Sequence, residues 1–226
     1  MFCAVYGVAF AVIWFAWDYL YPVKLFVVLL HEISHGMAAL ATGGYVERIE
    51  LVAAEGGVCF CSGSAVATAS AGYLGSLLWG LAMLWAVERF PRRASWMTFF
   101  LAAVVAATTV LYLRGGVGVM VGVLSVLVLT AVGRWGGVAG NKILLYGLGI
   151  TSAFYALLDI RSDVFERPNL QSDATILEEI FREQYGIGID SLWIGAAWAA
   201  VSLCCVLALF RWAWRRAGNE AEEAAG

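Results

Sequence analysis

Charged residues are scarce in this chain. Asp, Glu, Lys and Arg make up 14% of its 226 residues, whereas hydrophobic residues make up 62%, with a mean hydropathy of +0.81. Soluble globular domains are about half apolar and about one quarter charged. This composition excludes an ordinary soluble domain and predicts a polytopic integral membrane protein surrounded by the lipid bilayer.

A basic patch and a cleavable leader are also lacking. The 14 Lys and Arg residues are scattered among the segments between apolar stretches, and the formal net charge is -3. We therefore expect no nucleic-acid partner. The first apolar stretch, residues 2–20, has neither a basic start nor a small-residue cleavage site, so we expect it to be retained as a membrane span.

Long apolar runs dominate the rest of the chain. A spanning helix needs about 20 apolar residues, and seven stretches qualify: 2–20, 22–42, 64–87, 95–113, 115–132, 141–160 and 190–210. Only Arg114-Gly115-Gly116 separates the fourth stretch from the fifth. The two stretches either form a tight helical hairpin or one of them is re-entrant, so six spans are the alternative. With the amino terminus outside and the carboxyl terminus cytoplasmic, nine of the 14 basic residues lie in the cytoplasm, as the positive-inside rule requires.

The chain is predicted to form one all-α membrane domain over residues 1–226, interrupted by one short β-hairpin. A polar loop is expected over 161–189 and an acidic tail over 217–226. The hairpin is predicted from residues 45–52 and 57–61, which flank a glycine-containing turn. An edge strand there would offer main-chain groups to an extended substrate. A surface hairpin with no substrate role is the alternative.

Histidine is rare too, and the chain's only two lie in the segment His31-Glu32-Ile33-Ser34-His35. Residues four apart share one helical face, so the two imidazoles can bind one metal ion. The Glu32 carboxylate can reach a water on that metal and take its proton, as in metalloproteases. Because ionisable groups inside an apolar span are costly and usually functional, the segment predicts a zinc hydrolase site in the membrane.

A catalytic zinc keeps three protein ligands, and without a third histidine the remaining one must be Asp, Glu or Cys. Asp159 is the first choice, because it follows two leucines at the end of a predicted span. Asp163 lies four residues later on the same helical face and is an alternative. Asp173 is another, although Ser172-Asp173 equally predicts the N-cap of a polar helix.

Three stretches carry a family resemblance. Residues 27–36 with the following Ala41-Thr42-Gly43-Gly44 look like a metal helix, Ser70 to Ser76 is similar to a small-residue stretch, and Leu158-Asp159 matches a third-ligand motif. They resemble the site-2 protease family of intramembrane zinc metalloproteases, in its compact branch without a PDZ domain. The resemblance implies that His31, His35 and Asp159 bind Zn²⁺, that Glu32 activates water, and that residues 22–87 and 141–175 form the catalytic core.

The small-residue stretch departs from the family pattern at Tyr73, where proline is usual. The Tyr73 hydroxyl is a candidate hydrogen-bond donor to a tetrahedral intermediate, and hence a candidate substrate-binding group. The glycines around it, including Gly72 and Gly80, allow close helix contact in lipid and would press this span against the metal helix.

The leading interpretation is a zinc endopeptidase that cleaves transmembrane or juxtamembrane segments of membrane-protein substrates. A catalytically inactive relative that binds client helices is the first alternative, although the intact His31-Glu32-His35 set argues against it. A metal transporter would repeat polar ligands along several spans, and this sequence does not. The sequence indicates no particular oligomeric state.

Overall fold

A computed structural model describes residues 21–53, 56–155 and 172–223. The predicted span 2–20 and the two candidate ligands Asp159 and Asp163 lie outside these residues. The described elements, in chain order, are α1 (Tyr21–Ala41), β1 (Val46–Val52), β2 (Gly56–Cys61), α2 (Ala65–Arg89), a 3-10 turn (Pro91–Arg93), α3 (Ser95–Leu111), β3 (Leu113–Arg114), α4 (Gly116–Trp135), α5 (Gly137–Ala153), α6 (Asp173–Tyr185) and α7 (Ser191–Glu223).

Four helices in the described ranges are long and apolar enough to cross a membrane. They are α1, α2, α4 and the Ser191–Trp212 part of α7, and α3 is a shorter apolar helix. Helix α5 has 17 residues and ends at Ala153, before the predicted end of the sixth span at 160. The mostly helical membrane architecture agrees with the sequence, whereas six or seven spans remain a prediction.

Helix α1 is the centre of the packing. Of its most apolar window, 78% is buried, compared with 22% for α4. Helix α1 packs against α2 and α5 and carries both histidines, so the candidate site lies inside the protein.

Glycine allows α2 to approach α5 closely, and the small-residue composition of α2 predicts such close helix contact. A Cβ atom added at Gly80 would lie 2.4 Å from the backbone nitrogen of Ala153. Real Cβ contacts are not this short, so the two backbones meet at this position. Such close approach between apolar helices strengthens packing where no water is present to drive association.

The predicted hairpin forms, with β1 antiparallel to β2 and Leu51 opposite Gly57. The all-α prediction missed a third strand, since β3 pairs in parallel with β1 and places Leu113 beside Ile49. This pairing occupies the segment predicted as a simple turn, and Gly115 then reverses the chain with φ of 78°. The sheet order is β2-β1-β3, so β2 is an edge strand among the described residues.

Candidate metal centre

One turn of α1 carries the first half of the site. His31, Glu32 and His35 are buried, and their ligand atoms all lie within 4.8 Å of one another. The helical spacing of the sequence therefore produces the predicted cluster of two imidazoles and one carboxylate.

The start of α6 supplies a second carboxylate. The Oδ2 atom of Asp173 lies 3.0 Å from His31 Nε2 and 3.2 Å from His35 Nε2. Asp173 is the first residue of α6, directly after the N-cap Ser172, which forms a capping box with Thr175. These reciprocal hydrogen bonds fix the beginning of the helix, and with it the position of the carboxylate.

The spacing of these atoms fits a tetrahedral zinc ion. Bonds of about 2.0–2.1 Å at tetrahedral angles separate two ligand atoms by about 3.3 Å, close to the distances from Asp173 to both imidazoles. Among the described residues, Asp173 Oδ2 has no aligned hydrogen-bond partner despite its burial. Burying a carboxylate oxygen without a hydrogen-bond partner costs free energy. A bound metal ion would offset that cost.

Gly72 of α2 leaves space for the same cluster. A Cβ atom at this position would lie 2.4 Å from His31 Nε2 and 2.5 Å from Asp173 Oδ2. The absence of a side chain thus lets the imidazole and the carboxylate meet beside the α2 backbone. Gly72 belongs to the stretch that the sequence predicted to press against the metal helix, and this contact is confirmed.

A backbone group orients His35. The His35 Nδ1 atom lies 2.7 Å from the carbonyl oxygen of Thr68 in α2. A carbonyl oxygen only accepts, so Nδ1 carries the proton and Nε2 presents its lone pair to the metal position. This outer hydrogen bond is the common way of fixing the tautomer of a metal-binding histidine.

Asp173 is anionic at neutral pH. Burial acts to raise the pKa of its carboxyl group, but attraction to the imidazoles of His31 and His35 outweighs burial and lowers the pKa below its usual value. The amino-terminal end of a helix also favours negative charge. The site therefore brings two imidazole nitrogens and one anionic carboxylate oxygen together, and these donor atoms suit catalytic zinc.

Aromatic rings pack against His31. The rings of Tyr73 and Tyr155 each lie 5.2 Å from the His31 ring in edge-to-face arrangements. Trp198 of α7 lies against Tyr73 at 4.8 Å between ring centroids. The Tyr73 hydroxyl was predicted to contact the substrate, and in the structure the Tyr73 ring packs against the candidate ligand His31. The contribution of Trp198 was missed, because it comes from a distant helix with no local motif.

The structure thus brings together four predicted site residues: His31, Glu32, His35 and Asp173. Asp159, the first choice for the third ligand, and Asp163 lie outside the described residues and stay predictions. Asp173 was expected either to cap a helix or to bind metal. In the structure, Ser172 provides the cap and Asp173 faces the histidines.

These features define a helical membrane protein with a buried candidate metal centre. The chain belongs to the peptidase M50B-like family, whose model matches residues 3–209. This match confirms the resemblance to site-2 proteases and supports metallopeptidase ancestry for the site. No curated protein and no solved structure gives a significant match to the chain.

Proposed function

We propose that the protein is an intramembrane zinc metalloendopeptidase that hydrolyses peptide bonds in or near transmembrane segments of membrane proteins. The observation that carries this proposal is the convergence of Asp173 Oδ2 on both histidine Nε2 atoms beside Glu32. Membership of the peptidase M50B-like family supports it independently.

His31, His35 and Asp173 are the proposed zinc ligands, with Asp159 and Asp163 as the alternatives for the third position. Bound zinc would supply a Lewis acid that polarises a carbonyl group and lowers the pKa of water. The hydrogen bond from His35 to the Thr68 carbonyl keeps one ligand in its binding tautomer.

Glu32 is the proposed general base. Its carboxylate takes a proton from the attacking water and later delivers it to the amine of the departing peptide segment. The Glu32 carboxylate is buried, and its oxygen lies within 4.8 Å of a nitrogen atom of each imidazole, which supports this role. Positioned general bases of this kind contribute about 10²–10⁴-fold to rate.

The edge strand β2 is the proposed docking site for an extended substrate segment. Its outer edge is unpaired among the described residues, and such an edge can accept another strand through main-chain hydrogen bonds. Peptide bonds in a helix are shielded by their own hydrogen bonds, so a substrate helix must unwind locally before cleavage. Tyr73 is a secondary candidate for contact with the substrate.

We retain the orientation deduced from basic residues, with the amino terminus outside and the carboxyl terminus cytoplasmic.

Metal transport is not favoured. Within the described ranges, the cluster at His31 is the single group of three or more His, Cys, Asp or Glu residues that could hold a metal ion. A transport path needs several such groups along the spans.

The deciding experiment compares the wild-type protein with Glu32→Gln after purification and zinc loading. The probe is a set of fluorescein-labelled transmembrane peptides in the same detergent, with products identified by mass spectrometry. We expect both proteins to bind one zinc and the variant to lose at least about 100-fold in rate.

Glu179→Gln is the matched control, because it removes the charge of an exposed carboxylate on α6. Cleavage by Glu32→Gln at the wild-type rate would overturn the proposal. Zinc-loaded wild-type protein that cleaves no peptide would favour the inactive, helix-binding alternative.

A further inference from the structure

Gly57 of β2 lies directly against the Glu32 side chain. A Cβ atom built at Gly57 would lie 2.6 Å from Glu32 Oε1, 2.7 Å from its Cγ and 2.9 Å from its Cδ. Contacts this short do not occur in real structures, so a side chain at residue 57 and the present conformation of Glu32 exclude each other.

The backbone conformation does not explain the glycine. Gly57 is absent from the positive-φ glycines of the described chain, which are Gly43, Gly63, Gly115, Gly137 and Gly186. An alanine could therefore adopt the backbone angles of residue 57 without strain. The space taken by the Glu32 carboxylate is what requires glycine here.

The strand cannot move away easily to relieve such a contact. Gly57 is paired with Leu51, whose side chain is buried in the core. Two residues further along β2, the Cys59 sulfur lies 3.7 Å from the Cβ position of Gly36 on α1. Because the pairing with Leu51 and the packing of Cys59 near α1 both hold β2 in place, the Glu32 side chain would have to rotate instead.

We propose that Gly57 is a positioning residue, which keeps open the space that the Glu32 carboxylate occupies beside the candidate metal centre. The inference rests on the proposed role of Glu32 as general base. It assigns a function to the hairpin beyond substrate docking: the backbone of β2 forms one wall around the base and holds its carboxylate towards the two histidines.

A double-mutant cycle tests the contact without any activity measurement. Gly57→Ala should lower the unfolding midpoint of the zinc-free protein in detergent. In the Glu32→Ala background the same substitution should have little effect, because Cγ, Cδ and Oε1 are then gone. Equal losses in the two backgrounds would show that Gly57 serves only the strand, and would overturn the inference.

Gly56→Ala is the matched control for this cycle. Among the described residues, the added methyl group would meet only Val52 Cγ2, at 3.2 Å, which is the end of an exposed side chain across the hairpin. Its effect on the unfolding midpoint should be the same with and without Glu32. Coupling between Gly56→Ala and Glu32→Ala as large as that for Gly57→Ala would also contradict the inference.

The functional arm measures zinc content, kcat and KM of Gly57→Ala with the labelled peptides. A displaced base should lower kcat by about 10-fold to 100-fold, with one zinc still bound and KM within about twofold. A raised KM with unchanged kcat would mean that residue 57 acts on substrate docking, and would refute the positioning role. Activity retained by Glu32→Gln would instead refute the proposed function, while the stability cycle would still report on the contact.

Discussion

Asp173 Oδ2 lies 3.0 Å from His31 Nε2, so the start of a polar helix closes a site that begins inside a membrane-spanning one. The two residues belong to α6 and α1, which are far apart in the chain. Helix α6 packs against α2 and α7. The candidate metal centre therefore depends on the packing of α6 against α2 and α7.

Asp173→Ala is expected to abolish stoichiometric zinc binding. The substitution removes the oxygen that contacts both imidazoles, and two histidines alone form an incomplete site. Metal analysis of the purified protein after dialysis measures the loss. Glu179→Ala on the exposed face of α6 is the control and should keep one zinc per chain.

One zinc retained by Asp173→Ala would place the third ligand elsewhere. Asp159→Ala and Asp163→Ala, measured in the same series, would then identify the residue. If Asp173 is the ligand, each of these two variants keeps its zinc.

Gly72→Ala is expected to prevent assembly of the metal centre while the protein remains folded. The new methyl group would overlap both His31 and Asp173, so these ligands must separate. Zinc binding measured by calorimetry should weaken by at least about tenfold, given that lesser disturbances around metal ligands cost 10-fold to 100-fold. Gly147→Ala on α5 is the control, because its Cβ position has no neighbour within 4 Å in the part of the chain that the structure describes. Wild-type zinc affinity in Gly72→Ala would contradict this account of the site.

The first half of the site follows from the sequence because helical spacing is local. Two histidines four residues apart must share a face, and Glu32 must lie beside them. The third ligand depends on where the chain goes after α5, and no local pattern encodes that path. Ser172-Asp173 shows the difficulty, since the same pair predicts a helix cap and a ligand. In the structure Ser172 supplies the cap, and the carboxylate of Asp173 faces the histidines.

The fold, like the site, was predictable from the sequence where the signals are local. The hairpin of β1 and β2 has alternating apolar residues and glycine at the turn, which are local signals. Strand β3 has two residues, Leu113 and Arg114, too few to show alternation. Its pairing with Ile49 depends on how α3 and α4 return the chain to the sheet. The contact of Trp198 with Tyr73 likewise depends on where α7 packs.

Tyr73→Phe separates the two roles of that residue. The ring contacts with His31 and Trp198 need no hydroxyl group, so the variant should still bind one zinc. If the hydroxyl donates to the tetrahedral intermediate, kcat should fall by about 10²-fold with KM unchanged. Wild-type kcat in Tyr73→Phe would leave the residue a packing role only, and Tyr73→Ala should then show reduced zinc affinity.

A polar contact away from the metal centre joins three helices and predicts a stability effect. Asn141 of α5 accepts a hydrogen bond from the Thr98 hydroxyl of α3 at 2.7 Å, and its amide donates to the carbonyl oxygens of Val132 in α4 and Gly137 at 3.1 and 2.7 Å. Both Asn141 and Thr98 are buried. A buried polar group that loses its partner destabilises a protein by about 1–3 kcal/mol.

Asn141→Ala should therefore lower the free energy of unfolding by about 1–3 kcal/mol, measured by chemical denaturation in detergent. Thr98→Val removes the other partner of this hydrogen bond and tests whether the loss of the bond causes the lower stability. In the double variant no hydroxyl group is left unpaired, so the loss should be smaller than the sum of the two single losses. Additivity within about 0.3–0.5 kcal/mol would mean that the two side chains do not interact. Zinc content should stay at one per chain in all three variants, because the contact lies on helices that carry none of the proposed ligands.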